Sequence, residues 1–323
     1  MNKTALTILK ILDRHSDIIG SGEISKELKI HGIDLTERTV RYHLKLLDEM
    51  GMTKVFGKEG RKITGKGRDE LKNSCVPERL GFVISKIEAC SYQTTIDLGT
   101  LKGKVILNIS YLPEDRLDES LHLMANVFRT SYVMSDRVVI ARSGERIADM
   151  VVPQGRAAIG TVCSVTINGI FLKAGIPVAS RFGGVLEINK GVPRRFLSLI
   201  SYEGSSLDPL EVFIRSKMTD VAGAVNYGSG MILASYREIP VICLAQVKEL
   251  ANRMKEKGIS GVLHIGEPNR PVFEVPVGID KVGVVIVGGL NPLALLEESG
   301  ISTDSKAMST LFEFSEMTPL QNQ

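Results

Sequence analysis

Tryptophan is absent, aromatic residues make up only 5% of the chain, and none of the four cysteines belongs to a C-x-x-C pair. No histidine stands at ligand spacing from Cys75, Cys90, Cys163 or Cys243 either, so a zinc knuckle is not expected and all four read as reduced, mostly buried thiols. No apolar run approaches the ~18–20 residues that a membrane crossing needs. The first residues set Lys3, Lys10, Asp13 and Arg14 in an amphipathic pattern where a secretion signal would be uninterrupted and apolar. The expectation is a cytoplasmic protein with no membrane partner, no metal and no resident cofactor. At 323 residues, with 43% apolar and 24% charged, the chain is long enough for two or three domains and too apolar to be disordered.

Charge of one sign is scarce overall, at 40 basic against 37 acidic residues, but it is unevenly spread. Residues 36–72 hold ten basic and six acidic side chains, whereas the segments before and after are nearly balanced. A local positive excess beside a neutral body suits a phosphate-binding surface.

The same stretch carries a helical grammar. Ala5, Ile8, Leu9 and Leu12 recur at helical spacing; Ser21 reads as the cap of a second helix with Ile24 and Leu28 on one face. Thr36 reads as the cap of a third helix, Glu37 to Met50, which stops at Gly51. Strand–turn–strand patterns at Met52–Phe56 and Arg61–Thr64 and a short closing helix complete a winged helix-turn-helix over residues 1–76. On the third helix, Arg38, Arg41, Tyr42 and Lys45 share an arc of about 100°, opposite Val40, Leu44 and Leu47. One stripe fills the core; the other is suited to the major groove of operator DNA. The expected DNA-binding set is Thr36, Arg38, Thr39, Arg41, Tyr42 and Lys45, with Lys58, Arg61 and Lys62 of the hairpin on the phosphate backbone. Gly60-Arg61-Lys62-Ile63-Thr64-Gly65-Lys66 mimics a P-loop, but Gly67 stands where a magnesium-holding Ser or Thr belongs.

Beyond a polar, proline-containing join near residue 77, the sequence holds no local catalytic triad and no metal cluster. It does hold ordered echoes: Ile109-Ser110-Tyr111 with Ile200-Ser201-Tyr202, Val152-Pro153 with Val275-Pro276, Asn168-Gly169 with Gly288-Gly289, and Val185–Ile188 with Leu311–Phe314. They suggest an internally duplicated α/β effector domain over residues 77–323, with halves at about 79–193 and 194–317 and a ligand groove between them. Glycine turns that lead into helices expose backbone N–H groups suited to carboxylates, and Arg181 can grip one bidentately. The expected effector-binding residues are Asn168, Gly169, Arg181, Gly183, Gly184, Ser205, Ser206, Gly289 and Asn291. Cys163 lies in an apolar alternating stretch and reads as packing.

The combination of a winged helix with Gly160-Thr161-Val162-Cys163-Ser164-Val165-Thr166-Ile167-Asn168-Gly169, Gly175-Ile176-Pro177, Phe182-Gly183-Gly184, Tyr202-Glu203-Gly204-Ser205-Ser206-Leu207-Asp208-Pro209 and Gly289-Leu290-Asn291-Pro292 resembles the NrpR family, nitrogen regulatory repressors of methanogenic archaea. The resemblance spans nearly the whole chain. It implies a repressor of nitrogen-assimilation genes that binds an inverted-repeat operator in double-stranded DNA as a homodimer. It also implies release by the small-molecule inducer 2-oxoglutarate. Some members carry two regulatory domains behind one winged helix. This chain has one, so a second, regulatory-domain-only NrpR-like subunit is a further implied partner. The alternative from a different class is a metabolic enzyme acting on a small anionic substrate under the control of its own winged helix.

Overall fold

The computed structural model describes residues 3–15, 17–73 and 82–322. The chain divides into two units, residues 1–81 and 82–323, each described here by itself.

In the first unit, α1 (Lys3–Arg14), α2 (Ser21–Ile30) and α3 (Glu37–Glu49) close over Ile8, Leu9, Leu12, Ile24, Leu28, Val40, Leu44 and Leu47, all at most 1% exposed. Each such aliphatic side chain contributes about 1.5–3 kcal/mol by leaving water. The Thr36 hydroxyl caps α3 by accepting from the Thr39 amide at 3.3 Å. Ser21 is not a cap: Gly20 holds that place at α2, and the Ser21 hydroxyl donates across to Glu37 at 2.9 Å. After Gly51, left-handed at φ +73°, β1 (Thr53–Phe56) and β2 (Gly60–Ile63) form an antiparallel wing that leads into α4 (Gly65–Asn73). The wing's root is clamped where Ile19 and Arg61 exchange backbone hydrogen bonds of 3.2 and 3.0 Å. Gly60 permits that approach, because a Cβ there would sit 2.1 Å from the Ile19 carbonyl oxygen.

The second unit begins with α5 (Val83–Gln93). It continues through β3 (Lys104–Pro113), α6 (Leu117–Phe128), β4 (Arg137–Ala141), β5 (Arg146–Ile147), β6 (Met150–Val151), β7 (Arg156–Val162), α7 (Val165–Lys173), β8 (Ala179–Asn189), β9 (Val192–Ser201), α8 (Pro209–Arg215) and α9 (Val221–Tyr227). Then come β10 (Gly230–Pro240), α10 (Leu244–Glu256), β11 (Val262–Ile265), β12 (Lys281–Val287), α11 (Asn291–Glu298), β13 (Asp304–Glu313) and β14 (Thr318–Pro319). Two five-stranded antiparallel sheets result, ordered β11–β12–β10–β8–β9 and β13–β3–β7–β4–β14. Among the described residues no helix is long and apolar enough to cross a membrane.

The chain is duplicated, but in a register other than the one the short echoes suggest. The run β3–α6–β4–β7–α7–β8 is repeated as β10–α10–β11–β12–α11–β13, so the equivalent halves span residues 104–189 and 230–313. Each half keeps three strands in one sheet and sends its last strand into the other: β8 pairs with β10, and β13 with β3. Side chains confirm the register. The Thr166 hydroxyl on α7 meets the amide and carbonyl of Ile106, and the Asn291 amide on α11 does the same to Leu233. Ile200-Ser201-Tyr202 therefore does not repeat Ile109-Ser110-Tyr111. Its first two residues end β9, a hairpin partner of β8 that the second half lacks, and Tyr202 follows that strand. Three-residue echoes recur easily in strands, whereas the pairing pattern does not.

A second difference lies around Cys163, in the stretch whose apolar alternation reads as strand. The strand ends at Val162 and α7 starts at Val165, which places Asn168-Gly169 inside a helix. Every residue from Val165 to Phe171 is buried, so no polar face imposes a helical period and the run imitates a core strand.

Candidate nucleic-acid interface and effector cavity

In the first unit α3 turns Val40, Leu44 and Leu47 inward and leaves Arg38, Arg41, Tyr42 and Lys45 exposed, with Tyr42 at 61%. Arg38 has no ion pair among the described residues. Arg41 is already engaged: its guanidinium pairs with Glu37 and its Nε donates to the Ser21 hydroxyl at 3.1 Å. Those contacts hold the Glu37 carboxyl below its ordinary range, the Arg41 hydrogen bond most of all. Lys45 lies 3.9 Å from Glu49, and the Thr36 and Thr39 hydroxyls share a 3.0 Å hydrogen bond at the helix start.

On the wing, Lys58 is exposed at the turn and Lys62 sits half-buried on β2. Arg61 points elsewhere. Its Nε donates at 2.8 Å to Asp48 at the end of α3, with both side chains about one-fifth exposed, so it buttresses the wing instead of facing outward to phosphates. Sequence reasoning passed over Lys54, which stands directly opposite Lys62 across the hairpin. Like charges opposite one another cost stability, and an anion lying along the wing would relieve that cost. Strand alternation was the signal that could have found it.

In the second unit a cavity of about 680 Å³ opens between α5, α7 and the start of β8. Ile84, Ile87, Leu172 and Ile176 form an apolar floor; Asn168, Ser180, Arg181, Glu88 and Glu203 supply the polar wall. Arg181 is half-exposed and lies 3.5 Å from the Glu238 carboxylate, which also accepts from the Gly278 amide at 2.9 Å. Behind the wall lies Arg237 on β10, only 1% exposed. It donates to the Asn168 carboxamide oxygen and to the Ser164 and Ser235 hydroxyls at 3.1 and 3.3 Å. The other end of the Asn168 amide donates to Ser180 at 2.9 Å. Among the described residues no carboxylate pairs with Arg237, and its Nε has no partner. Burial pushes its pKa down to about 10. Burial likewise pushes the Cys163 thiol up to about 12, leaving it unreactive at neutral pH, and raises Tyr202.

Of the nine expected effector residues, the structure brings Asn168 and Arg181 to this cavity. The others stand elsewhere for packing reasons. Gly169 lets α7 press on α5, since a Cβ would meet the Thr94 side chain at 2.4 Å. Gly183 and Gly184 make room for Pro209 and for Leu199 of β9, each 2.7 Å from an added Cβ. Gly289 packs on the Val162 carbonyl at 2.3 Å, and the fully buried Asn291 is a strut between Leu233 and the Tyr132 carbonyl. Ser205 and Ser206 lie in the turn before α8; the Ser205 hydroxyl donates to the Leu207 carbonyl, and Asp208 is the helix cap. Ser180 and Arg237 were missed. The visible hint was an arginine inside an otherwise buried strand from Ile232 to Ile239.

Comparison with known proteins agrees with this architecture. Residues 80–319 match the family model of the NrpR regulatory domains NRD1 and 2, and residues 6–71 match the winged-helix domain of ribonuclease R. The global nitrogen regulator NrpRI of Methanosarcina mazei is 37% identical over 98% of this chain and 98% of its own length. The global nitrogen regulator NrpR of Methanococcus maripaludis is 33% identical over 96% of the chain, which spans only 54% of that protein. A crystal structure of a nitrogen repressor-like protein from Methanococcus jannaschii superimposes with a TM-score of 0.63 at 32% identity, covering 75% of this chain and 100% of that one. A winged helix joined to a duplicated, strand-exchanged regulatory unit, alike over almost the full length, makes this chain a member of the NrpR family of nitrogen regulators.

Proposed function

We propose that the chain represses nitrogen-assimilation genes by binding an inverted-repeat operator as a homodimer, and that 2-oxoglutarate releases it by entering the cavity beside Arg181. The observation that carries this reading is the buried Arg237 guanidinium, with no carboxylate partner among the described residues, one hydrogen bond behind a cavity wall of Asn168 and Ser180. A small dicarboxylate fits that charge pattern: one end pairs with Arg181, and the other meets a wall polarised by Arg237. The apolar floor accommodates the methylenes between them. The exposed α3 face and the Lys54, Lys58 and Lys62 row support the DNA half of the reading. Val192, Leu197 and Leu199, exposed on edge strand β9, offer apolar surface to a dimer. The M. maripaludis relative is nearly twice as long, which favours a second, regulatory-domain-only subunit as an additional partner.

A gel shift on an inverted-repeat promoter fragment, with and without 2-oxoglutarate, tests the proposal. Arg38→Ala should weaken operator binding by about 1–3 kcal/mol if it reads a base edge. Asn168→Ala and Arg181→Ala should leave DNA binding intact and abolish release. Retention of DNA at millimolar 2-oxoglutarate, or no calorimetric binding of it, would refute the effector assignment. Turnover of 2-oxoglutarate would favour the enzyme alternative, against which the regulator names of the relatives stand.

A further inference from the structure

The two sheets end differently at equivalent edges. In the first, edge strand β4 is covered by the chain's own C-terminal segment: Thr318 pairs with Val138 and Pro319 with Arg137. The next residue, Leu320, donates its amide to the Asp136 carbonyl at 2.9 Å and tucks its side chain away at 6% exposure. In the second sheet the equivalent edge is β11, and among the described residues no strand pairs with its outer side. A groove of about 560 Å³ runs there between β11 and α10, in the position that β14 and Leu320 fill on the other sheet.

The groove differs from its counterpart in chemistry. Counted from the leucine that starts each helix, Leu121, Ala125 and Phe128 of α6 correspond to Lys248, Asn252 and Lys255 of α10. The three apolar side chains are half-buried, whereas their polar counterparts are exposed. Lys248, Asn252 and Lys255 line the groove together with Ser131, Ser260 and His264, and no carboxylate does. We propose that this groove docks an acidic, extended segment of a partner polypeptide, which adds as a strand to β11 and sets its carboxylates against Lys248 and Lys255. Main-chain pairing would supply affinity and the lysines the choice of partner. The inference does not depend on the effector reading, because the groove and the cavity share no lining residue.

The test uses the full chain and a fluorescein-labelled octapeptide, Glu-Val-Glu-Thr-Glu-Val-Glu-Thr, followed by anisotropy and amide hydrogen exchange. Saturable binding is expected, with slowed exchange confined to residues 261–265. A Lys-for-Glu peptide should bind at least tenfold more weakly, and so should the parent peptide to Lys248→Glu/Lys255→Glu, whose exposed sites leave the melting curve unchanged. A peptide N-methylated at every residue has no amide left to donate to β11 and should also lose binding. Equal binding of the N-methylated peptide, protection outside β11, or no saturation would overturn the proposal. A dimer in sedimentation that the double substitution dissociates would overturn it as well, by giving the groove to a second copy.

Discussion

The halves of the regulatory unit share one topology, and the widest difference in charge between them is buried. Where β3 puts Ser110 against Ser305 of β13 with a 2.7 Å hydroxyl contact, β10 puts Arg237 against Ser180 of β8. The serine pair is a closed account: two hydroxyls answer each other and nothing further is needed. The arginine is open, with a full charge buried among neutral groups at a cost that its three hydrogen bonds only partly offset. Of two equivalent positions, one is neutral and the other charged, and the proposed effector reading rests on the charged one.

The strongest way to break this contrast is to remove it. Arg237→Ser should make the second site resemble the first and abolish the response to 2-oxoglutarate, while gel shifts show unchanged operator affinity. Arg237→Met should go further and stabilise the fold by about 1–3 kcal/mol in urea unfolding, since an apolar side chain carries no uncompensated charge. The folded pKa, about 10, lies below the 12.5 of a free arginine, so the charged form disfavours folding throughout the neutral range and the penalty fades only as pH climbs past 10. The advantage of the Met variant should therefore be constant from pH 6 to 9. A large loss of stability would mean that the hydrogen bonds outweigh the burial.

Next in size is the contrast between α7 and α11. Gly169 of α7 corresponds to Ala294 of α11, and only the first is pressed by α5, with Thr94 and the Ser91 carbonyl 2.4 and 2.8 Å from where a Cβ would stand. Gly169→Ala should cost about 1–3 kcal/mol in thermal unfolding, although Ala is the better helix former. The winged-helix unit repeats the theme of answered and unanswered charge. Arg61→Ala, which releases Asp48, should cost up to about 1 kcal/mol of stability, whereas Lys58→Ala should leave the melt unmoved and reduce the salt dependence of DNA binding. The smallest effect concerns Asp208, whose cap on α8 has no partner in the second half. Burial pushes its carboxyl up to about 6, above its unfolded value, so this residue favours folding most in acid and least once pH has risen through 6. Asp208→Asn keeps the cap without the charge, and its melting-temperature gain over the parent should be larger at pH 8 than at pH 5.

Much of this was legible from residue order. The three helices of the first unit wrote themselves in apolar spacing, and the cap at Thr36 and the stop at Gly51 marked the recognition helix to within a residue. The duplication was visible, its register was not, because register resides in which strands pair, and strand exchange pairs each half with the other. The cavity was half legible: Asn168 and Arg181 stood out by chemistry, whereas Ser180 and Arg237 meet them only through the β8–β10 ladder. Glycine was the consistent misdirection. A glycine that admits a ligand and one that admits a neighbouring helix read alike in a sequence, and at Gly169, Gly183 and Gly184 the neighbour was protein.

Because β8 and β13 each finish the other half's sheet, neither half can be cut free with its hydrogen bonds intact. Severing the backbone at the exposed Gly204 should thus give two fragments that are soluble and ordered only as a pair, and no inheritance of the regulatory unit in single halves would yield a working protein.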